Sequence, residues 1–194
     1  MAGQTRKQGP KRSEESRAAI LLATREEMAE NGWRKFSVDS VAKRARASKQ
    51  TIYKWWPSVG TMCVEAGLEL IPAASQTGRD PAERIGELFQ PIEAAVRAGQ
   101  GHAIIRASLI AAADDAEAGE VWRAWLNETM RAPLRMLLAE LTAKRVVRRD
   151  WDIDTAMDLM VGPLWHRLVF MRAPIGEGFC HAQARLVLSV FTDG

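Results

Sequence analysis

Residues 37–57 read SVDSVAKRARASKQTIYKWWP, and the fold of the chain is decided there. Ser37 and Ser48 each precede a short run of apolar residues at helical spacing. Val38, Val41, Ala42 and Ala45 follow the first, and Ile52 with Trp56 follows the second. A serine so placed offers its side-chain oxygen to the free backbone N–H groups of a helix start. Pro57 closes the second run, because a proline drives the residue before it out of helical geometry. Two short amphipathic helices joined by about three residues have the dimensions of a helix-turn-helix. In that motif the second helix meets the DNA major groove by its N-terminal end. Here that end carries Lys49, Gln50, Thr51, Tyr53 and Lys54. Lys49 suits guanine or phosphate, Gln50 adenine, Thr51 a thymine methyl group, and Tyr53 and Lys54 phosphate. Ser37 leaves free amides at its helix start that suit a phosphate, and Ser48 heads the end that enters the groove. A plain helical hairpin with a polar surface has the same spacing, so the pattern alone leaves both readings open.

Outward from this pair, apolar residues recur at i, i+3, i+4 and i+7, and no stretch alternates as a strand does. The chain therefore reads as all-α. Residues 1–12 form a basic arm with Arg6, Lys7, Lys11 and Arg12, suited either to follow a duplex or to serve as a solubilising tail. A first helix starts at Ser13 and carries Ile20, Leu21, Ala23, Thr24 and Met28 to a stop at Asn31-Gly32. Ser58 opens a connecting helix over 58–72, and residues 73–80 make a polar linker. Pro81 begins the next helix, which Gly99 and Gly101 break. A short helix over about His102–Ala113 follows, then a long one over about Ala116–Arg145 that Pro133 bends. Two more, over about Asp152–Arg172 and Glu177–Phe191, close the chain. The expected division is an arm (1–12), a three-helix DNA-binding domain (13–57) and a larger helical domain (58–194).

The chain has 194 residues, long enough for a substantial core, and a net charge of +3 that is unevenly spread. Residues 1–57 hold thirteen Lys/Arg against six Asp/Glu, a net of +7, whereas residues 58–194 carry a net of −4. A basic third on an acidic remainder suits a polyanion at one end and other work at the other. A solvated charged face is the blander account. No apolar run is long enough to span a bilayer, and the N-terminus lacks the apolar stretch of a secretory signal. Two cysteines, Cys63 and Cys180, make no disulfide framework. A cytoplasmic setting without membrane attachment is expected.

The stretch from Arg17 to Met62 resembles the DNA-binding domain of TetR-family transcriptional repressors. The likeness rests on Ile20, Asn31-Gly32-Trp33, Phe36-Ser37-Val38, Val41-Ala42 and the block from Ser48 to Ser58. The tail is similar to a ligand-binding domain common in that family, through Arg148-Arg149-Asp150, Asp154 and the run from Asp158 to Arg167. The resemblance implies an all-helical homodimer. Its first three helices bind a double-stranded operator, its two C-terminal helices pair across a two-fold axis, and a small molecule releases the DNA. Three positions depart from the family pattern. Arg46 stands where Gly is usual in the turn, Val59 where Lys is usual, and Trp55 where His is frequent. Arg46 either strains the turn or adds a phosphate contact. Val59 removes an expected phosphate contact, and Trp55 either donates its indole N–H to a phosphate or packs.

Effector sites in helical domains lie between helices and are mostly apolar with a few polar groups. Phe89, Ile105, Leu109, Trp122, Trp125, Met130, Trp165, His166 and Phe170 are the candidates for an apolar or aromatic effector, although such stripes mostly make ordinary core. Arg106, Arg123 and His102 are available to orient an anion or to sit in solvent. Leu159, Leu164, Leu168, Leu186 and Val190 are more apolar surface than one chain can cover, which points to a two-fold four-helix interface. His102, His166 and His181 have no metal-ligand spacing, and no nucleophile motif or glycine-rich phosphate loop occurs. No metal, cofactor or catalytic residue is expected. The competing readings are a protein-interaction module without DNA, and a redox sensor using Cys63.

Overall fold

The computed structural model describes residues 10–192, and among these every regular element is helical. Helix α1 (Pro10–Asn31) leads through a 3₁₀ turn (Trp33–Lys35) to α2 (Val38–Ala45) and α3 (Lys49–Trp55). Then come α4 (Val59–Leu68), α5 (Pro81–Arg97), α6 (Gly101–Asp114), α7 (Ala116–Leu126), α8 (Ala132–Ala143), α9 (Ile153–Trp165) and α10 (Phe179–Phe191). The first helix starts earlier than its capping serine suggested. Pro10 takes the opening position, where a proline's missing N–H costs nothing, and Ser13 lies inside the helix. The arm's first nine residues, with Arg6 and Lys7, lie outside the described residues.

The long expected helix over 116–145 is continuous in path but not in pitch. A π turn over Asn127–Arg131 separates α7 from α8, immediately before Pro133. Proline has no N–H to return to the carbonyl four residues back, so the ladder loosens there. The penultimate helix also contains a proline, Pro163, and passes into a second π turn over His166–Met171. Buried Glu93 fixes the start of α10: its carboxylate accepts from Gly178 N at 2.7 Å and Cys180 N at 2.9 Å. An anion at a helix start is the favourable arrangement.

Two apolar cores result. One gathers Ile20, Leu21 and Met28 of α1 with Val41, Ile52 and Trp56, and continues through α4 into Ile104, Ala111 and Trp122. The other packs α5, α8, α9 and α10 around Phe89, Leu134, Leu138 and Leu164. Helix α6 contributes to both, with Ile104 in the first and Ile105 in the second. The short helices α2 and α3 are thus seated on the same core that α4, α6 and α7 share, so a shift of the larger part reaches them through packed side chains.

Candidate nucleic-acid interface

Helix α2 is clamped to α1 by its polar edge. Ser37 Oγ accepts from Ser40 N at 3.3 Å, and Ser40 Oγ donates to buried Glu27 Oε2 at 2.6 Å. Arg44 reaches Glu30 with both terminal nitrogens, one at 2.9 Å. This fork-on-fork pair holds the Glu30 carboxyl below the usual carboxylate range. The turn after α2 puts Arg46 in left-handed geometry, φ 51° and ψ 38°. Its N–H donates to Lys43 O while Ala47 N reaches back to Ala42 O at 3.0 Å. That crossed pair is a helix-ending motif in which glycine usually takes the left-handed place.

Helix α3 begins on Ser48, whose Oγ accepts from Thr51 N at 3.0 Å and lies 2.8 Å from Thr51 Oγ1. One side of α3 is sealed, with Ile52 1% and Trp56 2% exposed. Burying side chains of that size contributes ~1.5–3 kcal/mol each, which a seven-residue helix needs because it is unstable alone. Trp56 Nε1 donates to Glu65 Oε2 of α4 at 2.6 Å, so the end of α3 is also tied to α4. On the other side Lys49, Gln50, Tyr53 and Lys54 are exposed. Gln50, Thr51, Tyr53 and Lys54 border one shallow concavity. Lys49 is engaged rather than free: its Nζ lies 2.6 Å from Asp39 Oδ1, and that hydrogen bond pushes the lysine's pKa up. Trp55 is half-buried against the first core, its ring 6.4 Å from that of Trp56.

Helix α4 starts on Ser58 in a reciprocal cap with Thr61, and Val59 is half-buried against the first core where a cation is absent. Asp115 ties this start to the larger part. Its carboxylate accepts from Ala118 N at 3.0 Å at the head of α7 and stands against Ser58 and Gly60 at the start of α4. These groups hold it below the usual carboxylate range. No local pattern signals this link, since Asp115 stands far along the chain from the start of α4.

The effector candidates do not form one site. Phe89 and Ile105 are buried in the second core and border neither the cleft beside Pro133 nor the cavity at the end of α1. Trp122 is buried, with ring centroids 5.5 Å from Trp125 and 5.8 Å from Trp165. Trp125 and Met130 border a cleft of about 400 Å³ beside Pro133. Leu109, Trp165 and Phe170 border a larger cavity of about 670 Å³ against the end of α1. That cavity also takes in Trp33, Arg106 and Arg172, of which only Arg106 had a sequence signal. His166 is exposed, its ring 6.1 Å from Phe170. Leu164 and Leu168, expected at a subunit interface, are 1% and 0% exposed and face the protomer's own core. Leu159, Leu186 and Val190 do face outward. Cys63 is wholly buried, and burial beside Asp115 drives its thiol pKa up, the reverse of a reactive thiol.

A capped two-helix unit with a polar first turn, seated on a larger all-helical body, defines the class of helix-turn-helix regulators. Residues 20–58 match the family described as bacterial regulatory proteins, tetR family, and residues 76–187 match the tetracyclin repressor-like C-terminal domain. The chain belongs to the TetR family. It is a DNA-binding transcriptional regulator and not an enzyme. It is 27% identical to the HTH-type transcriptional regulator YdeS of Bacillus subtilis over 89% of this chain and 88% of that one. The crystal structure of the TetR family regulator SCO0332 is similar over 92% of this chain and all of that one, at 25% identity and TM-score 0.58. A TetR regulator from Agrobacterium tumefaciens shares the fold at TM-score 0.65 and 18% identity, covering 92% and 94%. Among the described residues no helix is long and apolar enough to cross a membrane.

Proposed function

We propose that the protein is a ligand-responsive repressor that binds a two-fold-symmetric operator as a homodimer and leaves it when a small, largely apolar molecule binds the larger part. The observation that carries this reading is α3, a helix sealed on one side by Ile52 and Trp56 and presenting Gln50, Tyr53 and Lys54 to solvent on the other. Gln50 and Lys49 read bases, Lys49 exchanging Asp39 for the duplex. The Thr51 hydroxyl is taken up by Ser48, which leaves its methyl group for a thymine. Ser37, Ser48, Arg46, Tyr53, Lys54 and Trp55 make the phosphate edge. Residues 13–57 form the DNA head, preceded by the basic arm, and residues 58–194 take effector and partner.

The partner face is the outward stripe of α9 and α10. Leu186 is 62% exposed, and Leu159 and Val190 are exposed with it. Gly162 lies on the same stripe, and a Cβ there would meet nothing within the protomer. A glycine that its own chain does not require suits close approach by a second copy. Two heads then address half-sites ~34–36 Å apart. Effector and operator oppose each other reciprocally, by ~1–3 kcal/mol of coupling. The place of action is the cytoplasm, where the operator is.

Selection of genomic fragments by the purified full-length protein tests the reading, because it yields binding and operator together. On the selected site, Gln50→Ala relaxes preference at one base pair. Lys54→Ala weakens all duplexes alike and lowers the salt slope by about one. Uniform loss in both variants removes Gln50 from the base readers. Absence of salt-dependent binding to any duplex overturns the whole reading.

A further inference from the structure

The cavity of about 670 Å³ lies between the two functional halves rather than inside the larger one. One wall is the Asn31–Arg34 turn at the end of α1, the second is α6, and the third is the π turn after α9. Its volume is in the range of small-molecule sites, ~300–1,000 Å³. Leu109, Ile110, Trp165 and Val169 make its apolar surface. Its charged groups all have one sign. Arg34, Arg106 and Arg172 line it, and among the described residues no Asp or Glu does.

Arg106 is poorly served as the protein stands. Its Nε is buried without a hydrogen-bond partner, and Arg172 is near enough to disfavour its charge further. A buried donor left unpaired is costly, and a guanidinium beside another guanidinium more so. Arg172, in left-handed backbone geometry at φ 49°, lines the same cavity. A carboxylate entering between the two would supply the missing acceptor and the missing opposite charge at once, in the planar geometry that guanidinium matches. The smaller cleft by Trp125 and Pro133 contains Glu128 and, among the described residues, no cation, so it selects against the same group.

We propose that this junctional cavity is the effector site, and that its ligand is an amphipathic organic acid: carboxylate between Arg106 and Arg172, flat or acyl body against Leu109, Ile110 and Trp165. The inference deepens the ligand-responsive reading and rests on it for its regulatory part. The route to DNA is short. Trp33 lines the cavity, and its Nε1 donates to Asp114 Oδ2 at the end of α6 at 2.9 Å. Its ring lies 6.4 Å from Phe36, which immediately precedes the Ser37 cap of α2. A body entering between α6 and this turn separates Trp33 from Asp114, one of the contacts that join the DNA head to α6.

Two pairs of probes test the proposal on the full-length protein: 1-naphthoate against 1-naphthamide, and octanoate against octanamide, followed by tryptophan fluorescence and calorimetry. At least one acid is expected to bind at least ~tenfold more tightly than its amide, the worth of one charge-assisted contact. Arg106→Gln and Arg172→Gln each bring the ratio of acid to amide affinity down to about one, whereas Ile110→Trp fills the cavity and weakens acid and amide together. Arg172 is exposed, so its variant keeps the test decisive should Arg106→Gln unfold. The bound acid weakens duplex binding in the wild type and not in either glutamine variant. Equal binding of acid and amide in both pairs, or an acid preference that survives both glutamine variants, overturns the site. Failure of the unliganded protein to bind any duplex sinks the repressor reading instead, and leaves the acid-over-amide comparison to be judged separately.

Discussion

Arg46 stands where the backbone is left-handed, and a side chain there costs ~1–2 kcal/mol that glycine avoids. Glycine's larger freedom in the unfolded chain offsets about 0.5–1 kcal/mol of that. Arg46→Gly is therefore expected to raise stability by about 0.5–1 kcal/mol, seen as a higher urea midpoint at unchanged slope. Operator affinity is expected to fall in the same variant, because the phosphate contact goes with the guanidinium. Unchanged affinity would show that Arg46 does not reach the duplex. At this scale the sequence was legible wherever the partner is local. Ser37, Ser48 and Ser58 cap as their spacing requires, each through an amide three residues on. Glu93 was not legible, because the amides it serves lie in a helix distant along the chain, and neither was the reach of Asp115 to the start of α4.

Among the elements, α4 packs against α1 of the head on one side and against α6 of the larger part on the other. Gly67 lies where a Cβ would stand 2.1 Å from Ser108 Oγ and 2.8 Å from Ser108 Cβ on α6. Ser108 cannot give way easily, since it is buried and its Oγ lies 3.0 Å from the carbonyls of both Cys63 and Ile104. Gly67→Ala is expected to destabilise the protein by ~1–3 kcal/mol through overpacking, seen as a lower urea midpoint. A neutral result would mean that α4 and α6 slide apart freely. Helix limits marked by proline or glycine were readable: Pro81 opens α5, and Gly101 opens α6. The two π turns were not. Hydrophobic spacing reports which residues share a face, but it does not resolve one extra residue in a turn.

For the molecule as a whole, the decisive surface is the outward stripe of α9 and α10. Leu186→Glu combined with Leu159→Glu is expected to yield a monomer in sedimentation at micromolar concentration. The operator is then bound about a hundredfold more weakly, because the second head no longer acts as a tethered partner. A dimer that persists would place the two-fold axis elsewhere. The charge asymmetry between the halves was visible without coordinates, whereas the sidedness of the last helices was not. Inner Leu164 and Leu168 and outer Leu159 and Phe170 are all apolar, so both stripes of that segment read alike in sequence. The candidate cavity was hidden for a related reason: its walls come from three separate stretches of chain, and only α6 had supplied a cationic candidate.

Each apolar core encloses one of the chain's two cysteines, Cys63 in the first and Cys180 in the second. Neither is open to solvent, so a thiol reagent reaches either sulfur only when its own compartment breathes. The molecule thus contains a separate clock for each half. Their two labelling rates, compared with and without duplex, tell whether the halves loosen together or one at a time.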